Sequence, residues 1–262
     1  MLPTITILGR TFSIFAILGL IGLFLAVFVA GFRVKRYNLT RSDPIYMSAF
    51  AGLGLLVGSV LLFAITQAPH ILQNREIYVS AIELIVRLFG GMVFYGGLLG
   101  AFAGLYVYSR VMKISFEVVM KLAVPVLPLA HAIMRIGCFT AGCCYGIEYP
   151  PPLGIAFTQS IVAPNGVYLL PVQLFEAFAN ILIFIMLWLY TKKERNWVTV
   201  TCMYGISYSI IRFFLEYLRG DELRGSIFGI STSQFISILM LITCICCLIY
   251  YNKARMKNHL TF

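Results

Sequence analysis

The stretch Phe12–Ala30, FSIFAILGLIGLFLAVFVA, carries no charged residue, and Arg33, Lys35 and Arg36 follow almost directly. As a helix rising 1.5 Å per residue it reaches ~28 Å, close to the ~30 Å hydrocarbon layer of a bilayer. The run is long for a signal peptide, and no small-residue cleavage pattern follows it convincingly. A retained first membrane helix is therefore expected. Six further apolar runs recur downstream: Ile45–Ile65, Leu84–Tyr108, Phe116–Met134, Val172–Tyr190, Val198–Leu218 and Thr232–Tyr250. Pro125 and Pro128 predict a kink in the fourth span. Glu83 and Arg87, at the start of the third, suggest a bent entry and read as a structural i,i+4 pair.

Composition agrees. Of 262 residues 60% are hydrophobic and 11% charged, with mean hydropathy +0.91, too little charge to surface a soluble protein of this size. The expected fold is an all-α polytopic membrane protein with seven transmembrane helices. One membrane domain spans 1–262, and within it residues 135–171 form an extracytoplasmic loop rich in Gly, Pro and Cys. Leu153–Thr158 is expected to be a short extended piece of that loop.

A net charge of +10 would suggest nucleic acid in a soluble chain, but its distribution excludes that partner. With the N-terminus outside and the C-terminus cytoplasmic, Arg33, Lys35, Arg36, Arg41, Arg110, Lys113, Lys121, Lys192, Lys193, Arg195, Lys253, Arg255 and Lys257 fall inside. Arg10, Arg75, Arg135, Arg219 and Arg224 fall outside. This is the positive-inside bias. The cytoplasmic connections are too short for a nucleotide-binding fold, and no internal repeat supports a transporter built from two halves.

The polar residues inside the spans carry the functional signal, because ionisable groups in a bilayer are expensive and usually line a bundle interior or cavity. Tyr208, Arg212 and Glu216 share one face of the sixth span. Read plainly this is a structural Arg–Glu pair with a helper. Read functionally, Arg212 binds an anion. Arg219 and Asp221 follow at headgroup depth. Gln173 and Glu176, three apart, either cap the fifth span or line the same site. Gly96, Gly100 and Gly104 lie on one side of the third span and suit close helix contact; Gly96-Gly97 could instead admit a headgroup to the backbone. Arg135, where the fourth span emerges, is placed for a bidentate contact with phosphate. Cys138, Cys143 and Cys144 fit a disulfide plus one thiol, small packing residues, a reactive thiol or a soft-metal site. No histidine spacing completes a zinc motif: His131 faces the helix and His70 is in another loop, so no metal site is expected.

At these residues the sequence resembles the prolipoprotein diacylglyceryl transferase family. Gly9-Arg10-Thr11-Phe12-Ser13 is similar to the family's opening segment, and Tyr95-Gly96-Gly97-Leu98-Leu99-Gly100 to its His-Gly-Gly-Leu block. Arg135-Ile136-Gly137-Cys138-Phe139, with Gly142 and Gly146, resembles its outward signature. Pro171, Gln173, Leu174, Phe175 and Glu176 resemble its Pro-x-Gln-Leu-Tyr-Glu segment. Tyr208, Arg212, Phe213, Glu216, Arg219 and Asp221 resemble its late helix. Five blocks in order are specific where one would be weak.

The resemblance implies a monomeric enzyme of the bacterial cytoplasmic membrane that needs no cofactor. It would move a diacylglyceryl group from phosphatidylglycerol to the lipobox cysteine of a preprolipoprotein, releasing glycerol 1-phosphate. Arg135 and Arg212 would hold the phosphate, Tyr208 would position the headgroup and Glu216 would orient Arg212. Tyr95 would stand in the catalytic set, and Gly96, Gly97, Gly137, Gly146, Gln173, Glu176 and Arg219 would line the substrate site. Three features depart from the family: Tyr95 replaces its histidine, Cys138 its asparagine and Cys143 its acidic residue; Leu169-Leu170-Pro171 also lacks its Arg-His-Pro lead. Other readings are a phospholipid-dependent transferase with another acceptor, one with a covalent cysteine intermediate, or a lipid-binding or transport protein.

Overall fold

The computed structural model describes residues 3–7, 9–73, 80, 83–84, 94–160, 162–221, 226–227 and 229–260. It is mostly helical, with six helices among the described residues long and apolar enough to cross a membrane. Their stretches are Ile14–Gly31, Asp43–Pro69, Phe116–Ala141, Val172–Tyr190, Trp197–Leu218 and Thr232–Ala254. The expected third span has its residues 85–93, Arg87 among them, outside the described residues. Its described part is the helix Phe94–Val111, which is not among the six. The chain is a multi-pass membrane protein.

Two compact units can be separated, Met1–Ala30 with Lys121–Phe262, and Gly31–Met120. The first opens on an antiparallel hairpin, β1 (Thr4–Ile7) and β2 (Arg10–Ser13), with Gly9 in the left-handed region at φ 75°. Helix α1 therefore starts at Ile14 rather than Phe12. The alternation of Thr4 to Ile7 with Gly9 at the turn favours strand pairing over a longer helix. Leu20, Phe24 and Phe28 of α1 are exposed, as suits side chains that face lipid.

In the second unit, α2 (Asp43–Gln73) packs on α3 (Phe94–Val111). A Cβ on Gly54, Gly58, Gly96, Gly100 or Gly104 would collide with the backbone of the facing helix. These glycines let the two main chains touch, so the spacing of four seen in Gly96, Gly100 and Gly104 is a packing device. Tyr108, fully buried, donates to Asp43 Oδ1 at 2.6 Å, and Thr40 donates to Oδ2 from its backbone nitrogen (2.6 Å) and hydroxyl (2.8 Å).

The predicted kink is present. Helix α4 (Phe116–Ala123) passes through a 3-10 turn at Val124–Val126 into α5 (Leu127–Ala141), where Pro125 and Pro128 interrupt the hydrogen-bond ladder. The expectation that the chain leaves the fourth span at Arg135 is corrected, since α5 runs on to Ala141. It ends at Gly142, whose φ of 75° allows a Schellman turn: Gly142 N donates to Phe139 O (3.2 Å) and Cys143 N to Cys138 O (3.1 Å).

The loop 142–171 is ordered by a short hairpin, β3 (Ile155–Ala156) with β4 (Tyr168–Leu169), of which β3 falls inside the expected extended piece Leu153–Thr158. Phe157, Ala163 and Leu169 form its small core. Helix α6 (Val172–Tyr190) starts directly after Pro171. Helix α7 (Trp197–Leu215) is capped by Asn196, whose Oδ1 accepts from Val198 N at 2.8 Å. A last hairpin, β5 (Ser226–Ile227) and β6 (Ile230–Ser231), leads into α8 (Thr232–Leu260). Ser231 and Gln234 bond reciprocally at 3.1 Å each, a capping box that fixes the first turn of α8.

Candidate active site

The first unit gathers its buried charges where α5, α6 and α7 meet. Glu176 on α6 is fully buried, and its Oε1 is the hub: Arg135 Nη2 of α5 lies at 3.0 Å, Tyr208 Oη of α7 donates at 3.0 Å and His131 Nε2 stands at 3.8 Å. Arg135 Nε donates to His131 Nε2 at 3.2 Å, so that nitrogen presents a lone pair. The His131 ring rests against Tyr208, centroids 5.1 Å apart. His131 is four residues before Arg135, on the same helix face, and it points into the site with that arginine. Sequence reading passed it over because one histidine in an apolar helix completes no motif. The i,i+4 spacing to Arg135 was the available signal.

Arg212 forms the second focus. Its Nη2 pairs with Glu216 Oε2 at 2.5 Å, one turn later on the same face, as the sequence predicts. The same nitrogen donates to Ser233 Oγ at 2.9 Å, in the turn fixed by the α8 capping box. Arg212 Nη1 is buried with no partner among the described residues. Glu176 is within electrostatic reach of Arg212, so the two foci form one charged cluster.

Arg219 is the third cation. Its Nε and Nη2 grip the Asp221 carboxylate at 2.8 and 2.7 Å. Burial works against its charge, but Asp221 and the neighbouring Cys144 outweigh that and hold the guanidinium pKa above its ordinary value. A backbone clamp places it. Gly146 pairs with Arg219, Gly146 N donates to Leu170 O (3.0 Å), Ile147 N to Leu218 O (2.9 Å) and Gly220 N to Tyr145 O (3.1 Å). A Cβ at Gly146 would press on Leu170 O, Val172 and Leu218 O, so only glycine fits between these strands.

Gln173 is buried and donates from Nε2 to Cys143 O at 2.8 Å, tying the start of α6 to the turn after α5. Gly137 sits against Phe15 of α1, where a Cβ would meet the ring at 3.2 Å. Gly96 and Gly97 belong to the glycine-packed pair of the other unit. The Tyr95 side chain is outside the described residues. Gln173 Oε1, Glu176 Oε2, Asn180 Oδ1, Ser209 Oγ, Arg212 Nη1 and Arg219 Nη1 are all buried without hydrogen-bond partners among the described residues. Buried polar atoms in native proteins are nearly always bonded to protein, water or ligand. Six such atoms on α6, α7 and the adjoining turn mark a place built to receive polar groups from elsewhere.

The family model for prolipoprotein diacylglyceryl transferase matches residues 3–250. Among curated relatives, the phosphatidylglycerol–prolipoprotein diacylglyceryl transferase of Clostridium tetani is 36% identical over 226 residues, covering 85% of this chain and 86% of the relative. The Clostridium perfringens enzyme of the same name, numbered 2, is 39% identical over 204 residues, 78% of this chain and 75% of its own length. That of Finegoldia magna is 29% identical across 97% of this chain and 96% of the relative. The family model's range takes in the blocks that carry the arginine cluster, and the chain belongs to the prolipoprotein diacylglyceryl transferase family.

Proposed function

We propose that this protein transfers the diacylglyceryl group of phosphatidylglycerol to the lipobox cysteine of a prolipoprotein, at the Arg135–Glu176–Arg212 cluster. The carrying observation is the buried Arg212 guanidinium, oriented by Glu216 and Ser233 and keeping Nη1 unpartnered. In the reaction a sulfur–carbon bond forms at the glycerol carbon and the carbon–oxygen bond to phosphate breaks. The departing glycerol 1-phosphate gains a negative charge as the thiol loses its proton. The Arg212 guanidinium, already fixed by Glu216 and Ser233, meets that charge without reorganising, which is the main source of electrostatic catalysis.

Tyr208, bonded to Glu176, positions the headgroup, and Glu216 orients Arg212. Gln173, Glu176, Arg219, Gly137 and Gly146 shape the surrounding site. Tyr95 is a poor base near neutral pH. We assign the thiol proton to His131, whose Nε2 lone pair is released when Arg135 turns to the phosphate. The whole chain acts as one transferase domain and works as a monomer. It sits in the bacterial cytoplasmic membrane with seven spans, the N-terminus outside and the C-terminus inside, so that the arginine cluster meets the outer leaflet.

The test is a reconstituted reaction with phosphatidylglycerol and a lipobox peptide, read by intact-peptide mass. Arg135→Ala, Arg212→Ala and His131→Gln should each lower the rate by about 10²–10³-fold while the protein still inserts and folds. Normal product formation by both arginine variants would overturn the mechanism. Normal turnover by His131→Gln alone would return the proton to another group.

A further inference from the structure

Three thiols stand together at the end of α5. Cys138 is in its last turn, and the Schellman bond from Cys143 N to Cys138 O folds the next two cysteines back over it. Cys144 takes a φ of 62°, in the left-handed region that non-glycine residues seldom enter. The result is that the sulfurs of Cys138, Cys143 and Cys144 all lie within 4.8 Å of one another, with no disulfide among them. The sequence left these cysteines open among a disulfide, packing, a reactive thiol and a soft-metal site, because a zinc motif asks for a histidine or a second Cys pair. Here the helix-ending turn does the gathering.

We infer that Cys138, Cys143 and Cys144 form a binding site for one thiophilic d10 cation of the Zn(II) class. Around such an ion with metal–sulfur bonds of ~2.3 Å, tetrahedrally arranged sulfurs are separated by ~3.8 Å, so the three thiols need to close by no more than about 1 Å. The scaffold is braced for it. Gln173 holds Cys143 O, and the Gly146 clamp fixes the chain two residues beyond Cys144. Binding converts three thiols to thiolates and releases their protons to solvent. Three thiolates on a divalent ion leave one negative charge, and the Arg135 and Arg219 guanidiniums stand within electrostatic reach of these sulfurs to offset it. Cys138 is buried, whereas Cys143 and Cys144 are partly exposed and give the ion a way in. The fourth position is left to water. A disulfide would use two of the sulfurs and leave the third without a role, whereas a cation uses all three.

The experiment uses the full chain in detergent, reduced, stripped with a chelator and titrated with Cd(II) as probe. One equivalent should produce a thiolate-to-metal charge-transfer band. Cys138→Ser, Cys143→Ser and Cys144→Ser should each weaken binding at least tenfold, while Cys246→Ser and Cys247→Ser, at exposed positions of α8, leave it unchanged. X-ray absorption of the Zn(II)-loaded wild type should show a shell of three sulfurs, a readout that stands even if a serine variant fails to fold. An equal band in the triple serine variant, or a shell of oxygen and nitrogen alone, overturns the site. So does a disulfide between any two of the three in protein trapped with alkylating agent from native membranes.

Discussion

The α2–α3 pair and the α6–α7 pair both bury polar groups in apolar surroundings, and they treat them in opposite ways. Between α2 and α3, glycines bring the backbones into contact, and the buried carboxylate of Asp43 receives donors on both oxygens. Along α6 and α7, Gln173, Glu176, Asn180, Ser209 and Arg212 are all buried, and each keeps one atom without a partner. Every such atom among the described residues falls between positions 173 and 219. Helices that needed only to be held together would do better with small apolar residues, because unpaired polar groups are costly where water is absent. The satisfied carboxylate is therefore structural, and the unsatisfied row is where, in the proposed function, lipid and acceptor would supply the missing partners.

The contrast breaks most visibly at Glu176. Removing one partner of a buried ion pair leaves the other charge uncompensated, at a cost of about 3–5 kcal/mol. Glu176→Ala strands Arg135 and the Tyr208 hydroxyl and should sharply lower the thermal midpoint in detergent. Glu176→Gln, which keeps an acceptor for Tyr208, should lose less. If Glu176→Ala melts with the wild type, the carboxylate is not the hub of the cluster.

In the glycine-packed pair the corresponding weak point is Gly100, where a Cβ would strike Gly54 O. Gly100→Ala must push the helices apart, and overpacking of this kind costs about 1–3 kcal/mol. Stability should fall while turnover per folded molecule, measured by the peptide-mass assay, stays near that of the wild type. A large loss of turnover without loss of stability would move this pair from scaffold to site.

Much of this division was legible beforehand. The spans follow from apolar runs, the break in the fourth from Pro125 and Pro128, and the Arg212–Glu216 pair from a spacing of four. Gly96, Gly100 and Gly104 announced a contact face. Their partners Gly54 and Gly58 were not singled out, because a contact between helices leaves no local signature. Of the strands in the hairpins among the described residues only β3 was anticipated, for a related reason: strands of two to four residues are too short for periodicity to register. The extension of α5 past Arg135 was hidden because Arg135 reads as a span boundary, although inside the protein Glu176 and His131 accept its charge and hydrogen bonds. Glu176 read either as a cap or as a lining residue, and not as the hub, because the sequence does not show what lies across from it. His131 shares that fate, since packing rather than a motif brings it to the site.

The smallest expected effects divide the two regions most cleanly. Tyr108→Phe removes the donor to Asp43 Oδ1 and leaves a buried carboxylate oxygen unpaired, which should cost about 1–3 kcal/mol with turnover unchanged. Ser209→Ala removes a hydroxyl that bonds to nothing among the described residues, so the stability of the protein alone should scarcely move. Its consequence should appear only with substrate, as weaker retention of phosphatidylglycerol or a raised KM, because the hydroxyl is one of the atoms waiting for a partner. Loss of stability in Ser209→Ala of the size seen in Tyr108→Phe would mean that the hydroxyl is already paired within the protein, and the row of open atoms would lose a member.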